Sequence, residues 1–152
     1  MGGRAADYGK MLLTELKPMI DAKYRTKTGR DSTAVGGSSL GGILSLFLGF
    51  THPEAFSKAL AVSPSVWWNH RDLLNEIGSL PGKLPLKIWL DCGDDESADE
   101  VADVRATEAA LESKGWQEGK DLAVFIDYGA KHNEVAWARR FPLMLMYLYG
   151  RR

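Results

Sequence analysis

This chain of 152 residues has one cysteine, and it has no long apolar run. Cys92 has no partner for an internal disulfide, and its apolar neighbours predict a buried thiol. No stretch is long enough to span a bilayer, and residues 1–4 do not begin a signal peptide. We therefore expect a soluble, cytoplasmic protein with no membrane partner.

Net charge is almost absent as well. The 19 Lys and Arg residues balance 20 Asp and Glu residues, which leaves a formal charge of −1 and argues against nucleic acid as a main partner. No grouping of His and Cys suggests zinc, and residues 94–96 lack the glycine and the alternating ligands of a calcium loop. We expect neither a metal nor a cofactor.

The most informative stretch is glycine-rich and spans residues 36–42. Gly37, Ser39 and Gly41 match the pattern G-x-S-x-G, in which a strand turns sharply into a helix with the serine at a strained apex. A Cβ at either glycine is expected to collide across this turn. The amide of Leu40, at the start of the helix, would lie beside Ser39 and could bind a developing oxyanion.

Other glycine-rich sites fit this stretch poorly. A phosphate-binding loop needs Gly-Lys-Ser/Thr, and no lysine is present here. A dinucleotide-binding fingerprint would have glycine in place of Ser39. A flexible glycine turn is the remaining alternative.

Apolar segments with strand and helix periodicity alternate along the chain, which predicts a parallel sheet of four strands flanked by helices. The length and a hydrophobic content of 45% fit one α/β domain over residues 1–152. Predicted strands cover residues 33–37, 57–62, 86–91 and 122–127. Predicted helices cover residues 5–24 (with a kink or boundary at Pro18), 40–49, 72–77, 98–114 and 137–149.

A serine hydroxyl needs a base to act as a nucleophile, and the chain has three histidines. His132 follows the last predicted strand, so it should lie at the same sheet edge as Ser39, because the carboxyl ends of parallel strands meet there. His52 follows the helix after Ser39, at the opposite edge, and no local pattern marks His70 as a base. We therefore predict that His132 is the base.

An acid would hold this histidine in the required tautomer. Asp94, Asp95 and Glu96 follow the third predicted strand, which gives the order serine, acid, histidine of an α/β-hydrolase. The same residues could instead form a solvated acidic start of a helix, favourable to the helix dipole. The pattern alone leaves open which of the three is the acid.

Several motifs together resemble the esterase D and enterochelin-esterase-like family of α/β-hydrolases. The similarity runs over nearly the whole chain, with motifs at residues 15–18, 36–42, 63–69, 90–93 and 132–137. It implies that Ser39 is the nucleophile, that His132 is the base, and that Glu96, three residues after a strand-end glycine, is the acid. Asp95 is the second choice for the acid, and some relatives use serine and histidine alone.

The resemblance also implies a serine carboxylesterase that acts on small soluble esters through an acyl-enzyme. Ser38, Trp67 and Trp68 would contact the substrate, although the two tryptophans could equally be core residues. Thioester hydrolysis and acyl transfer would use the same residues. An inactive binding or assembly module is the alternative from another class.

The chain departs from the family before the glycine-rich stretch. Only 38 residues precede Ser39, and they hold one predicted helix and no strand. We therefore expect a truncated or minimal α/β-hydrolase, the carboxyl-terminal half of the usual fold, without the second oxyanion donor, whose loss costs about 2.7–4 kcal/mol. The first strand would be a bare edge, which predicts a homodimer unless the leading helix covers it.

Overall fold

Four parallel strands form a sheet whose strand order follows the chain. The computed structural model describes residues 3–150. Its strands are β1 (Ala34–Ser38), β2 (Lys58–Val62), β3 (Lys87–Gly93) and β4 (Leu122–Asp127). The predicted α/β architecture is confirmed, and β3 continues two residues beyond its predicted end because Cys92 and Gly93 still pair with β4.

Helices connect the strands and precede the first of them. They are α1 (Ala5–Met11), α2 (Lys17–Lys23), α3 (Leu40–Thr51), α4 (Trp68–Ser79), α5 (Glu100–Ser113) and α6 (Glu134–Tyr149). A π-helical turn, Leu12–Leu16, joins α1 to α2, and a 3₁₀ turn, Arg30–Ser32, precedes β1.

Three helix boundaries differ from the prediction for local reasons. The irregularity expected at Pro18 takes the form of the π-helical turn that ends just before α2, in which this proline is the second residue. Helix α6 begins at Glu134, three residues early, because the Asn133 side chain caps it by accepting from the Ala136 amide at 3.0 Å. In α4, residues 69–71 are left-handed, so regular helical geometry begins at Asp72.

The sheet has an apolar core on each face. Side chains of β2 alternate between them: Ala59 and Ala61 face one core, and Leu60 and Val62 face the other. Helices α3, α4 and α5 cover the first core, and α6 covers the second with Met144 and Leu148. This arrangement brings the carboxyl ends of all four strands to one edge.

Strand β1 lies at the border of the sheet, as the sequence predicted. The Thr33 carbonyl and the Ser39 amide bond to the β2 side, so the backbone groups of the alternate residues Ala34, Gly36 and Ser38 point away from the sheet. A groove of about 820 Å³ lies beside β1 against α1, α2 and α3, and one of about 610 Å³ lies between β1 and α6. The leading helix packs on α3, where Gly9 meets Leu48, and leaves the strand uncovered.

The two glycines of the G-x-S-x-G pattern differ in their steric need. A Cβ on Gly37 would lie 2.7 Å from the backbone oxygen of Gly41, which permits no side chain. A Cβ on Gly41 would meet nothing within 4 Å, so the expected collision there is wrong. The turn is tight on the strand side only, because Gly41 faces the open groove beside α3.

We therefore expect opposite results from two alanine substitutions. Gly37→Ala should lower the free energy of unfolding by about 2 kcal/mol or more, since backbone must move to admit the methyl group. Gly41→Ala should leave it unchanged or raise it by up to about 1 kcal/mol, as alanine favours the helix. Urea unfolding of both variants measures this, and equal destabilisation would contradict it.

Candidate active site

Ser39 stands at the sharp turn between β1 and α3. Its backbone has φ 59° and ψ −122°, a conformation that a residue with a side chain rarely adopts. Three backbone bonds hold it there: its amide donates to the Val62 carbonyl at 2.9 Å, and its carbonyl accepts from the Gly42 amide at 3.0 Å and from the Ser65 amide at 3.1 Å. The hydroxyl is thereby presented at the carboxyl edge of the sheet.

His132, which follows β4, contacts this hydroxyl, and Glu96, which follows β3, contacts His132. The Ser39 Oγ lies 3.0 Å from His132 Nε2, and His132 Nδ1 lies 2.8 Å from Glu96 Oε2. The imidazole is about one third exposed, whereas the Glu96 side chain is 1% exposed. The Trp137 ring meets the imidazole edge to face, with centroids 5.0 Å apart.

Of the three candidate acids, the structure brings only Glu96 to His132. Its second oxygen, Oε1, accepts from the Gly93 amide at 2.5 Å and from the Ser63 hydroxyl at 2.6 Å. Asp94 accepts from the Gly129 amide at 2.6 Å instead. Asp95 is exposed and lies 3.8 Å from the ammonium of Lys131. These two residues lie in a turn before α5, which begins at Glu100, so they do not form the acidic helix start that was the alternative.

Leu40 and the two other histidines were also considered in the sequence, and they lie in different parts of the fold. Leu40 is the first residue of α3, next to Ser39, and an amide in the first turn of a helix has no carbonyl partner within that helix. His52 is at the far end of α3 and contacts Glu54 at 3.1 Å. His70 lies in the left-handed turn of α4.

The three residues predicted to contact substrate differ in how exposed they are and in what they contact. Trp68 packs against the core beneath α3, α4 and α5, as expected if it is a core residue. Trp67 is 60% exposed, and Ser38 lines the groove beside α6. Trp67 remains the better candidate for a ligand contact.

Several residues near the site were assigned no role from the sequence. The hydroxyl oxygens of Ser65 and Ser39 lie 3.1 Å apart, and Ser63 and the buried Arg140 contact the acid from behind. The Ser63-Pro64-Ser65 motif at the end of β2 was a usable signal, because it ends at the same sheet edge. Nothing local distinguished Arg140 from the neighbouring Arg139, which is largely exposed.

Two more ionisable groups lie buried near the site. Burial, with a smaller contribution from the nearby charge of Glu96, raises the pKa of Glu100 to about 7, and His132 opposes the effect. Its Oε1 atom has no hydrogen-bond partner. Burial, together with the nearby charges of Glu96 and Glu100, raises the pKa of the Cys92 thiol to about 12. The thiol is buried, as predicted, and protonated at neutral pH.

Residues 3–150 lack two features that would point to other functions. This part of the chain has no group of three or more His, Cys, Asp or Glu side chains that could hold a metal ion. None of its helices is both long and apolar enough to cross a membrane.

Comparison with known proteins places these residues in a family context. The family model described as "Putative esterase" matches residues 1–148. The chain is 25% identical over 158 residues to the Bacillus subtilis (strain 168) protein named "Uncharacterized protein YbbA". It is 38% identical over 66 residues to the Iron(III) enterobactin esterase of Escherichia coli (strain K12). The crystal structure of the enterobactin esterase FES from Shigella flexneri superposes with a TM-score of 0.83 at 26% identity.

The matched shares of these proteins differ widely. The alignment with YbbA covers 99% of this chain and 62% of that protein. The alignment with the Escherichia coli enzyme covers 43% of this chain and 16% of that one. The superposition on the Shigella flexneri enzyme covers 95% of this chain and 38% of that one. The chain thus spans less than two thirds of each relative.

The raised pKa of Glu100 predicts a pH-dependent stability. The unfolded carboxyl titrates near 4.5 and the folded one near 7, so the folded state loses stability as pH rises between these values. Glu100→Gln should therefore raise the free energy of unfolding at pH 8 by up to about 3 kcal/mol and have little effect at pH 4. Urea unfolding at both pH values measures this, with the exposed Glu112→Gln on the same helix as the control. An effect equal at both pH values would contradict it.

Proposed function

Because the chain belongs to the esterase family whose model it matches, we propose that it is a serine carboxylesterase acting on small soluble esters. One observation carries the proposal: an unbroken line of hydrogen-bonding contacts joins Ser39, His132 and the buried carboxylate of Glu96. Such a line is what a hydroxyl needs to become a nucleophile at neutral pH.

The contacts of Glu96 support this assignment of roles. Its Oε1 accepts from an amide and a hydroxyl, so the carboxylate acts as an acceptor, and Oε2 accepts a hydrogen bond from the Nδ1–H of His132. That tautomer leaves Nε2 unprotonated and facing the Ser39 hydroxyl. The imidazole is then ready to accept the serine proton.

The reaction proceeds in two halves. Ser39 Oγ attacks the ester carbonyl while its proton passes to His132 Nε2, and the Leu40 amide donates to the oxyanion. The tetrahedral intermediate collapses, the alcohol leaves with the proton from His132, and an acyl-enzyme remains. Water then attacks the acyl group with His132 again as base, which releases the acid and restores Ser39.

The names of the relatives suggest a first set of substrates. The Escherichia coli and Shigella flexneri proteins are enterobactin esterases, and Emericella nidulans has a siderophore enterobactin esterase that is 35% identical over 74 residues. We propose siderophore esters as candidates alongside simple aryl esters of increasing acyl length. Thioesters belong in the same panel, because the same three residues would cleave them.

Hydrolysis by three variants tests the proposed roles. Ser39→Ala should lower kcat by a factor of about 10³ or more, because the nucleophile is gone. Glu96→Gln should lower kcat by a factor of about 10² or more, whereas the matched Asp94→Asn should change it less than threefold. Initial rates on an aryl ester measure all three, with circular dichroism as the check on folding. Full activity of Ser39→Ala, or equal losses in the two acid variants, would refute the assignment.

We also propose that two copies associate through β1. With Gly36 opposite the partner's Gly36, Ala34 lies opposite the partner's Ser38, and the outward-pointing groups of both strands pair in an antiparallel ladder. A two-fold axis normal to the sheet would also place the two α6 helices side by side. Their groove-lining side chains, Phe141 and Leu145, are both more than 40% exposed.

Sedimentation equilibrium at micromolar concentration tests the dimer. The wild-type chain should sediment at twice its mass of 16.8 kDa. Leu145→Glu places a charge in the α6 groove and should give a monomer, whereas Met146→Glu, on the same helix but outside the groove, should leave the dimer intact. A wild-type monomer would contradict the proposal, and so would equal effects of the two substitutions.

A further inference from the structure

Ser63 lies at the end of β2 with its hydroxyl behind the carboxylate of Glu96. Its φ of 42° is unusual for a residue with a side chain. Its amide is held by β3, since it donates to the Asp91 carbonyl at 2.9 Å and to the side-chain Oδ1 of the same residue at 3.1 Å. The hydroxyl oxygen lies 2.6 Å from Glu96 Oε1.

Two donors on α6 fix the direction of this hydroxyl. Trp137 Nε1 donates to Ser63 Oγ at 3.0 Å, and Arg140 Nη2 donates to it at 2.9 Å. An indole N–H and a guanidinium can only donate, so together they occupy both lone pairs of the hydroxyl oxygen. The hydroxyl proton is left with Glu96 as its acceptor.

The guanidinium of Arg140 is itself held by buried acids. Its side chain is 2% exposed, and Nη2 lies 3.1 Å from the fully buried Asp91 and 3.8 Å from Glu96. Nη1 lies 3.4 Å from Asp127. Burial raises the pKa of Asp91, while Arg140 and the indole N–H of Trp89 oppose the effect. One cation thus anchors the hydroxyl and offsets part of the negative charge behind the imidazole.

We propose that Ser63 is a positioning residue for the esterase reaction, locked by Trp137 and Arg140 so that its proton always points at Glu96. This inference rests on the proposed function. The bond withdraws charge from the carboxylate and fixes its plane, and both effects reach His132 through Oε2. Ser63 touches neither substrate nor Ser39 in this role.

Several charged groups surround the carboxylate that contacts the imidazole, and Ser63 acts on that carboxylate directly. They are Glu100 on α5, Asp91 on β3, Asp127 on β4 and Arg140 on α6, with Lys131 and Glu134 next to His132 along the chain. Without the Ser63 proton the charge on Glu96 is less neutralised, and the Gly93 amide alone is left to fix the plane of the carboxylate through Oε1. A carboxylate that is less neutralised attracts the protonated imidazole more strongly.

Ser63→Ala tests this, with kinetics normalised to the sites labelled by a fluorophosphonate. We expect kcat per labelled site to fall about tenfold or more with little change in KM, and the acid limb of the kcat profile to move to higher pH by about half a unit or more. Ser45→Ala is the matched control, because this buried hydroxyl donates to the Gly41 carbonyl within its own helix. An unshifted limb or a kcat within twofold of wild type would overturn the proposal.

A second variant separates positioning from general packing. Trp137→Phe keeps a ring beside His132 but removes the N–H donor, so the Ser63 hydroxyl can turn away; we expect a smaller loss of kcat than in Ser63→Ala. The double variant should be no worse than Ser63→Ala alone, because the indole N–H acts through Ser63. Additive losses would overturn the proposal. A wild-type chain without activity would instead refute the proposed function itself.

Discussion

The carboxylate of Glu96 is the group on which the whole site depends. It is almost fully buried, and a buried charge is tolerated only when donors surround it. Those donors come from three strand ends: the Gly93 amide in the last residue of β3, the Ser63 hydroxyl after β2 and the His132 imidazole after β4. A parallel sheet brings these strand ends to one edge, where all three donors can form hydrogen bonds to the same carboxylate.

Strand β1, which leads into Ser39, has fewer neighbouring strands than β2 or β3. Strand β1 pairs on one side only, and the tight turn after it relies on the absence of a side chain at Gly37. The strained backbone of Ser39 is nevertheless fixed by bonds to β2 and to the first turn of α3. The position of Ser39 therefore depends on β2 more than on the free border of the sheet, so the three side chains can meet beside an uncovered strand.

Sequence patterns predicted the features that depend on period and position. Alternating apolar segments gave four parallel strands, and the place of His132 after the last strand brought it to Ser39. Residues that act through packing show no such pattern. Arg140 is one of two adjacent arginines on α6, and only the three-dimensional structure shows that it is buried against β3 and β4. The free space at Gly41 was missed for the same reason, since the pattern carries no information about the groove beside it.

Covalent labelling is the most direct test of whether Ser39 is a nucleophile activated through His132. The folded wild-type chain is treated with a fluorophosphonate at pH 8, digested and analysed by mass spectrometry. We expect one adduct, carried by the hydroxyl of Ser39, and none on the neighbouring Ser65. No adduct on folded protein, or an adduct on Ser65 in its place, would contradict it.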